Sequence, residues 1–147
     1  MSALVASARK CLGVPFKHRG RTLAGLDCAG LGHWAYQDNG ITLPDMERYG
    51  RTPHRDGLAM MMVKALGEPI WQGRPGLVAP RDVMQPGDVV LMRFVLEPHH
   101  VAIVTDSPTH GLGLIHCYSS AVIDRVVEHG LDAMWQARIL AVFRRPV

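Results

Sequence analysis

The sequence holds no Cys-x-x-Cys pair, and its cysteines, Cys11, Cys28 and Cys117, are odd in number. A disulfide framework is therefore not expected, and a reducing compartment suits the chain better. No apolar run approaches the ~18 residues that a membrane-spanning helix needs, so no membrane partner is expected. The first ten residues carry no positive segment ahead of an apolar one and do not read as an export signal. Synthesis in the cytoplasm, without an exporting signal of its own, is the expectation. Basic stripes interleaved with aromatics are missing too. The formal charge is +3, and the cations are scattered over Arg9, Lys10, Lys17, Arg19, Arg21, Arg144 and Arg145, which argues against a nucleic-acid partner. Internal repeats and low-complexity segments are absent.

What is present suits one globular unit. The chain has 147 residues, 48% apolar and 20% charged, and is read as a single domain over 1–147. Such a length buries roughly two-thirds of the surface its unfolded chain exposes, so one core suffices without disulfide or metal. Up to about residue 67 the periodicity is helical. Ser2 to Leu12 puts Leu4, Val5, Ala8 and Leu12 on one face, with Gly13 and Pro15 as stops. Residues Phe16 to Leu26 read as a loop. Asp27 reads as the N-cap of a second helix that Asn39-Gly40 closes, and a third runs from Pro53 to Leu66.

After Gly67 the pattern turns to strands. Gln85-Pro86-Gly87-Asp88 is a turn that launches Val89 to Phe94. Further strands are predicted at His100–Thr105, Leu112–Tyr118, Val122–Val127 and Ile139–Arg144, with one or two helical turns over Asp132–Arg138. Short separators imply an antiparallel meander. Helices first and strands second give an α+β domain, its helices packed on one face of an antiparallel sheet.

Cys28 is the chemically prominent residue. It follows a predicted N-cap, where unpaired N–H groups and the helix dipole favour negative charge. Such a position is expected to lower a thiol from about 8.5 toward roughly 3.5–7.5, and its N–H groups suit an oxyanion. Gly30 and Gly32 keep the helix tip free of bulk. By residue type alone a lone cysteine is more often a small core residue, so the assignment needs a base. His99-His100 opens the strand Val101-Ala-Ile-Val104, and His116 follows His100 by sixteen residues, a separation that fits neighbouring antiparallel strands. His18, His33, His54, His110 and His129 have no comparable setting and are taken as incidental.

Four segments, in this order, resemble the NlpC family of cell-wall cysteine peptidases. They are Gly13-Val-Pro-Phe-Lys-His-Arg-Gly-Arg21 with Gly25-Leu-Asp-Cys-Ala-Gly-Leu31, then Gln85-Pro-Gly-Asp-Val-Val-Leu91, His100-Val-Ala-Ile-Val104 and Leu114-Ile-His-Cys117. The resemblance implies a papain-like fold with Cys28 as nucleophile, His100 as base and His116 as the third residue. It also implies hydrolysis of a peptidoglycan stem-peptide amide, commonly between γ-linked D-glutamate and the next diamino acid. No cofactor or metal is implied. Phe16, Asp27, Ala29 and His99, which flank the nucleophile and the base, are the candidates for contacting substrate. Phe16 stands where many members have tyrosine and cannot donate that hydroxyl's hydrogen bond. Ala29 stands where many have serine. The compact form is similar to members carried by tailed phages and gene-transfer agents, through the stretch from Phe16 to Arg21 and the segment Arg138-Ile-Leu-Ala-Val-Phe143. That implies a phage-tail or prophage-derived component, with tail proteins as partners and the cell wall as its place of action.

Three rivals stand beside this reading. One is a non-catalytic tail or wall-binding module on the same fold. Another is a different acyl-transfer enzyme. The last is a metal site from His99, His100, His116 and Cys117, which strand alternation opposes because adjacent residues face opposite ways.

Overall fold

Capping chemistry decides where the helices begin. The computed structural model describes residues 2–45, 57–74, 76–93, 98–120 and 122–147. Helix α1 (Ala3–Arg9) starts at Ser2, whose Oγ accepts from the Val5 amide at 3.4 Å. It ends before the predicted Leu12, which is 47% exposed beside Gly13 at φ +85°. Helix α2 (Cys28–Asp38) begins where predicted: the Asp27 carboxylate accepts from the Gly30 amide at 2.8 Å. Asn39 is its C-cap, and Gly40 at φ +80° turns the chain away. Helix α3 (Leu58–Leu66) lies between Gly57 and Gly67, both at positive φ; the start predicted at Pro53 lies outside the described residues.

The segment predicted as a loop carries a small hairpin, β1 (Arg21–Thr22) with β2 (Gly25–Leu26). The main sheet contains β3 (Trp71–Gln72), β4 (Val89–Arg93), β5 (Pro98–Ser107), β6 (Gly111–Ser119), β7 (Asp124–Gly130) and β8 (Ile139–Phe143). A single helical turn, α4 (Ala133–Gln136), precedes β8. Phe94, predicted to close β4, lies outside the described residues. The order is β3-β8-β4-β5-β6-β7, antiparallel throughout. The meander is therefore correct for β4 to β7. β8 instead returns to the far side of β4, and β3 adds an edge strand that the sequence analysis did not predict.

Strand alternation builds two cores. On β4, Val89 and Leu91 face the helices, while Val90 and Met92 face the other way. The helix-covered core joins Leu4, Val5, Leu31, Ala35 and Tyr36 to Val101, Ile103, Ile115 and Cys117. The second core, under Ala79, Met84, Leu131 and Trp135, takes Ala102, Val104, Leu114 and Val142. The N-terminal helices thus pack on one face of the sheet, as predicted, while loops and α4 cover the other.

Two ties hold the sheet to its surroundings. Buried Asp88 accepts from Arg144 through both carboxylate oxygens, each at 2.8 Å, and so joins the turn before β4 to the end of β8. At the opposite edge, residues 13–16 run along β7: Gly13 donates to Val126, Val126 to Val14, and Phe16 to Asp124. Lys17 then donates to the Leu26 carbonyl, which delivers the chain to the α2 tip.

That approach needs one glycine. A Cβ on Gly30 would overlap the Gly20 carbonyl, whereas a Cβ on Gly32 would meet nothing within 4 Å. Gly30→Ala should therefore cost about 1–3 kcal/mol or more through forced displacement of the loop. Gly32→Ala should stabilise by up to about 1 kcal/mol through helix propensity. Urea unfolding of both variants checks this, and equal effects would contradict the packing.

Candidate active site

The α2 tip is fixed by one carboxylate. Asp27 is 4% exposed. Its Oδ1 accepts from the Gly30 amide at 2.8 Å and from Arg21 Nη1 at 2.9 Å, and its Oδ2 accepts from the Arg19 amide at 2.9 Å. Arg21 also forks onto Asp45 at 2.7 and 3.0 Å, and His33 sits 3.2 Å from the same carboxylate. His33, taken as incidental from sequence, thus belongs to this ion-pair cluster behind the tip.

Cys28 follows Asp27, is partly buried and packs against the helix-covered core. The thiol departs from the sequence expectation. Burial, and after it the neighbouring Asp27 charge, pushes it up to about 12. The backbone N–H groups of Val101 and Ala29, and more weakly Arg21, pull the other way without winning. Desolvation and the adjacent carboxylate outweigh the helix tip's preference for negative charge. The Val101 contact sets Cys28 against β5, one residue beyond His100. Phe16, partly buried, packs against the same core and bridges to Leu26. Ala29 lines a small apolar cavity between α2 and α3 with Gly32, His33 and Met62.

His100 and His116 meet. The pairing of β5 with β6 runs from Ser107↔Gly111 to Ile103↔Ile115. Continued alternation turns His100 and His116 to the face opposite α2. His100 is 3% exposed and His116 is 0% exposed. His100 Nε2 lies 2.7 Å from His116 Nδ1. Burial, and after it the nearby His129 ring, holds His116 down to about 3, so it is neutral near pH 7.

His129, read from sequence as incidental, joins this pair. Its Nε2 lies 2.7 Å from His116 Nε2, and its Nδ1 is 3.0 Å from the Gly130 carbonyl oxygen. Trp135 packs on both rings, at 5.1 Å from His116 and 4.8 Å from His129. The legible signal was alternation: Val127 and His129 share a face of β7, and Val127 pairs with His116. The predicted strand stopped at Val127 and so excluded His129.

The other cysteines are structural. Cys117 lies on the helix-covered face, its Sγ donating to the Leu26 carbonyl at 3.1 Å, and Cys11 is fully buried after α1. Burial pushes Cys117 up to about 12 and Cys11 up to about 11. Since Cys117 and His116 lie on opposite faces, they do not converge on a metal ion. The His99 side chain lies outside the described residues.

Comparison with known proteins agrees with this architecture. The sequence profile of the NlpC/P60 family matches residues 13–144. No curated protein matches the chain. Among solved structures, the NlpC/p60 domain of the peptidoglycan hydrolase SagA is similar over 97% of both chains, at 19% identity and a TM-score of 0.59. An NlpC/P60 family protein from Bacillus cereus gives 21% identity and a TM-score of 0.61, covering 97% of this chain and 39% of its own. A lipoprotein-like member from Staphylococcus aureus gives 21% identity and a TM-score of 0.62, covering 97% of this chain and 40% of its own. The chain therefore spans about two-fifths of the length of these last two relatives. At such identities the likeness is one of fold. With the profile spanning the helix tip, all three histidine-bearing strands and β8, the chain belongs to the NlpC/P60 family.

Proposed function

We propose that this chain is a cysteine peptidase or amidase acting on peptidoglycan stem peptides, with Cys28 as nucleophile, His100 as its base and His116 orienting the base. The observation that carries the reading is the Cys28 thiol lying against the Val101 amide, next in the chain to His100, while His100 is hydrogen-bonded to His116. A thiol set against the strand that carries a hydrogen-bonded histidine pair supports a nucleophile, base and orienter arrangement for acyl transfer. Family membership and the SagA domain's description as a peptidoglycan hydrolase domain support the substrate class. The bond is proposed to be the γ-D-glutamyl–diamino acid amide, and Phe16, Asp27, Ala29 and His99 the flanking contacts. The stretch from Phe16 to Arg21 and the closing segment Arg138 to Phe143 support a phage-tail or prophage-derived setting.

The thiol state shapes the mechanism. A thiol near 12 is protonated at rest, so the attack is general-base assisted and does not start from a preformed thiolate. His100 Nε2 faces His116, which leaves Nδ1 as the nitrogen for the thiol proton. As sulfur bonds to the amide carbon, that proton passes to Nδ1. The tetrahedral intermediate collapses when His100 returns the proton to the leaving amine and the C–N bond breaks. Water, deprotonated by the same nitrogen, then attacks the thioester and releases the acid and the thiol. The Cys28 and Ala29 amides in the first turn of α2 are the proposed oxyanion donors for this step.

Muropeptide mass spectrometry after incubation with purified wall tests the activity. Cys28→Ala should reduce turnover to background, and His100→Ala should fall by about 10²–10⁴-fold. His116→Ala should retain measurable turnover, and His116→Asn or His116→Gln more, because the amide oxygen still accepts. Unchanged turnover in Cys28→Ala, or none in the wild type against any wall, would sink the reading, the latter in favour of a binding module.

Thiol labelling tests the resting state. Cys28 should be alkylated first, because it alone of the three cysteines is partly exposed. Its thiolate fraction rises about tenfold per pH unit below its pKa, so the rate should climb from pH 7 to pH 9 without levelling. A plateau below pH 7 would reveal a preformed thiolate–imidazolium pair instead.

A further inference from the structure

We propose that His129 is a positioning residue that sets the proton register of the active-site histidines, so that the apparatus is a relay of three rings ending on the Gly130 carbonyl. The inference rests on the catalytic reading above and extends it by one residue.

The proton positions follow from a fixed end. A carbonyl oxygen only accepts, so the 3.0 Å contact from His129 Nδ1 to Gly130 O requires a proton on that nitrogen. In the imidazole with that tautomer, Nε2 offers a lone pair. His116 Nε2, 2.7 Å away, must donate to it. Neutral His116 is left with a lone pair on Nδ1, which accepts from His100 Nε2 at 2.7 Å. The remaining lone pair falls on His100 Nδ1, the nitrogen the thiol requires. Reversing the chain at any link would put a proton there and disable the base.

Packing holds the rings in this order. His129 and His116 are diagonal neighbours across β6 and β7, through the pairs Leu114↔His129 and His116↔Val127. The rings stand nearly perpendicular, at 76° for His100 with His116 and 79° for His116 with His129. Trp135 closes over His116 and His129, and its own amide is fixed by the Asp132 carboxylate at 2.9 Å. The Arg138 guanidinium lies over the outer side of that indole at 4.8 Å. The depressed basicity of His116 agrees with its role as a neutral link.

Long-range proton–nitrogen correlation spectra of the nitrogen-15-labelled full chain, near neutral pH, read the tautomers directly. The expected pattern is Nδ1–H on His129 and Nε2–H on both His116 and His100. His129→Phe keeps the ring volume and removes the acceptor. It should move His116 toward Nδ1–H and lower kcat on wall fragments by about tenfold or more, with KM little changed. His129→Gln should restore both, because its amide oxygen occupies the place of Nε2. Wild-type His116 carrying its proton on Nδ1, or His129→Phe with unaltered tautomers and kcat, would overturn the proposal. The wild-type spectrum decides even if His129→Phe fails to fold. Because the tautomers are read without turnover, an inactive wild type would refute the catalytic reading while leaving the register to be judged on the spectrum.

Discussion

Asp27 is the constraint on which the rest of the site depends. One buried carboxylate caps α2, accepts from the Arg19 amide and holds Arg21, so helix tip, preceding loop and ion-pair cluster share a single anchor. An N-cap alone is worth about 0.5–2 kcal/mol, but here the cap also fixes the direction from which Cys28 meets β5. The same anchor carries a chemical cost. Its charge, added to burial, keeps the thiol protonated. In the proposed mechanism, the histidines then supply the base that the helix tip does not replace.

The three histidines are linked by hydrogen bonds from His100 through His116 and His129 to the Gly130 carbonyl. An orienting carboxylate would stabilise a charged base. His116, neutral and fully buried, offers only a lone pair and a proton. A neutral orienter fixes a tautomer without favouring the imidazolium. The split of the site between two faces follows from strand parity. Val101 meets α2, while its neighbour His100 turns the other way toward His116.

The sequence made the caps and turns legible because they are local chemistry. Asp27, Asn39-Gly40 and Gln85 to Asp88 were read within a residue or two, and the four strands of the meander followed from apolar runs between turns. Strand order was not legible: nothing local to Ile139–Phe143 says that it returns beside β4, and two-residue Trp71–Gln72 has no periodicity to read. Leu12 was misplaced because spacing extends a helix that Lys10 already closes. His129 escaped because its strand, Arg125-Val-Val-Glu-His-Gly130, is largely polar and its partner is set by cross-strand register. The sign of the Cys28 shift failed for a related reason, since burial is a property of the packed molecule and the helix dipole was the only part visible beforehand.

The account turns on a covalent step at one sulfur, and peptide-mapped mass spectrometry of protein quenched in acid during turnover of wall fragments tests it most directly. The account predicts an acyl adduct on the peptide containing Cys28, absent from the peptides of Cys11 and Cys117, whose mass equals the fragment on the carbonyl side of the cleaved amide. Steady product formation by a protein that His116→Ala slows at the deacylation step, yet never carries such an adduct on Cys28, would contradict it.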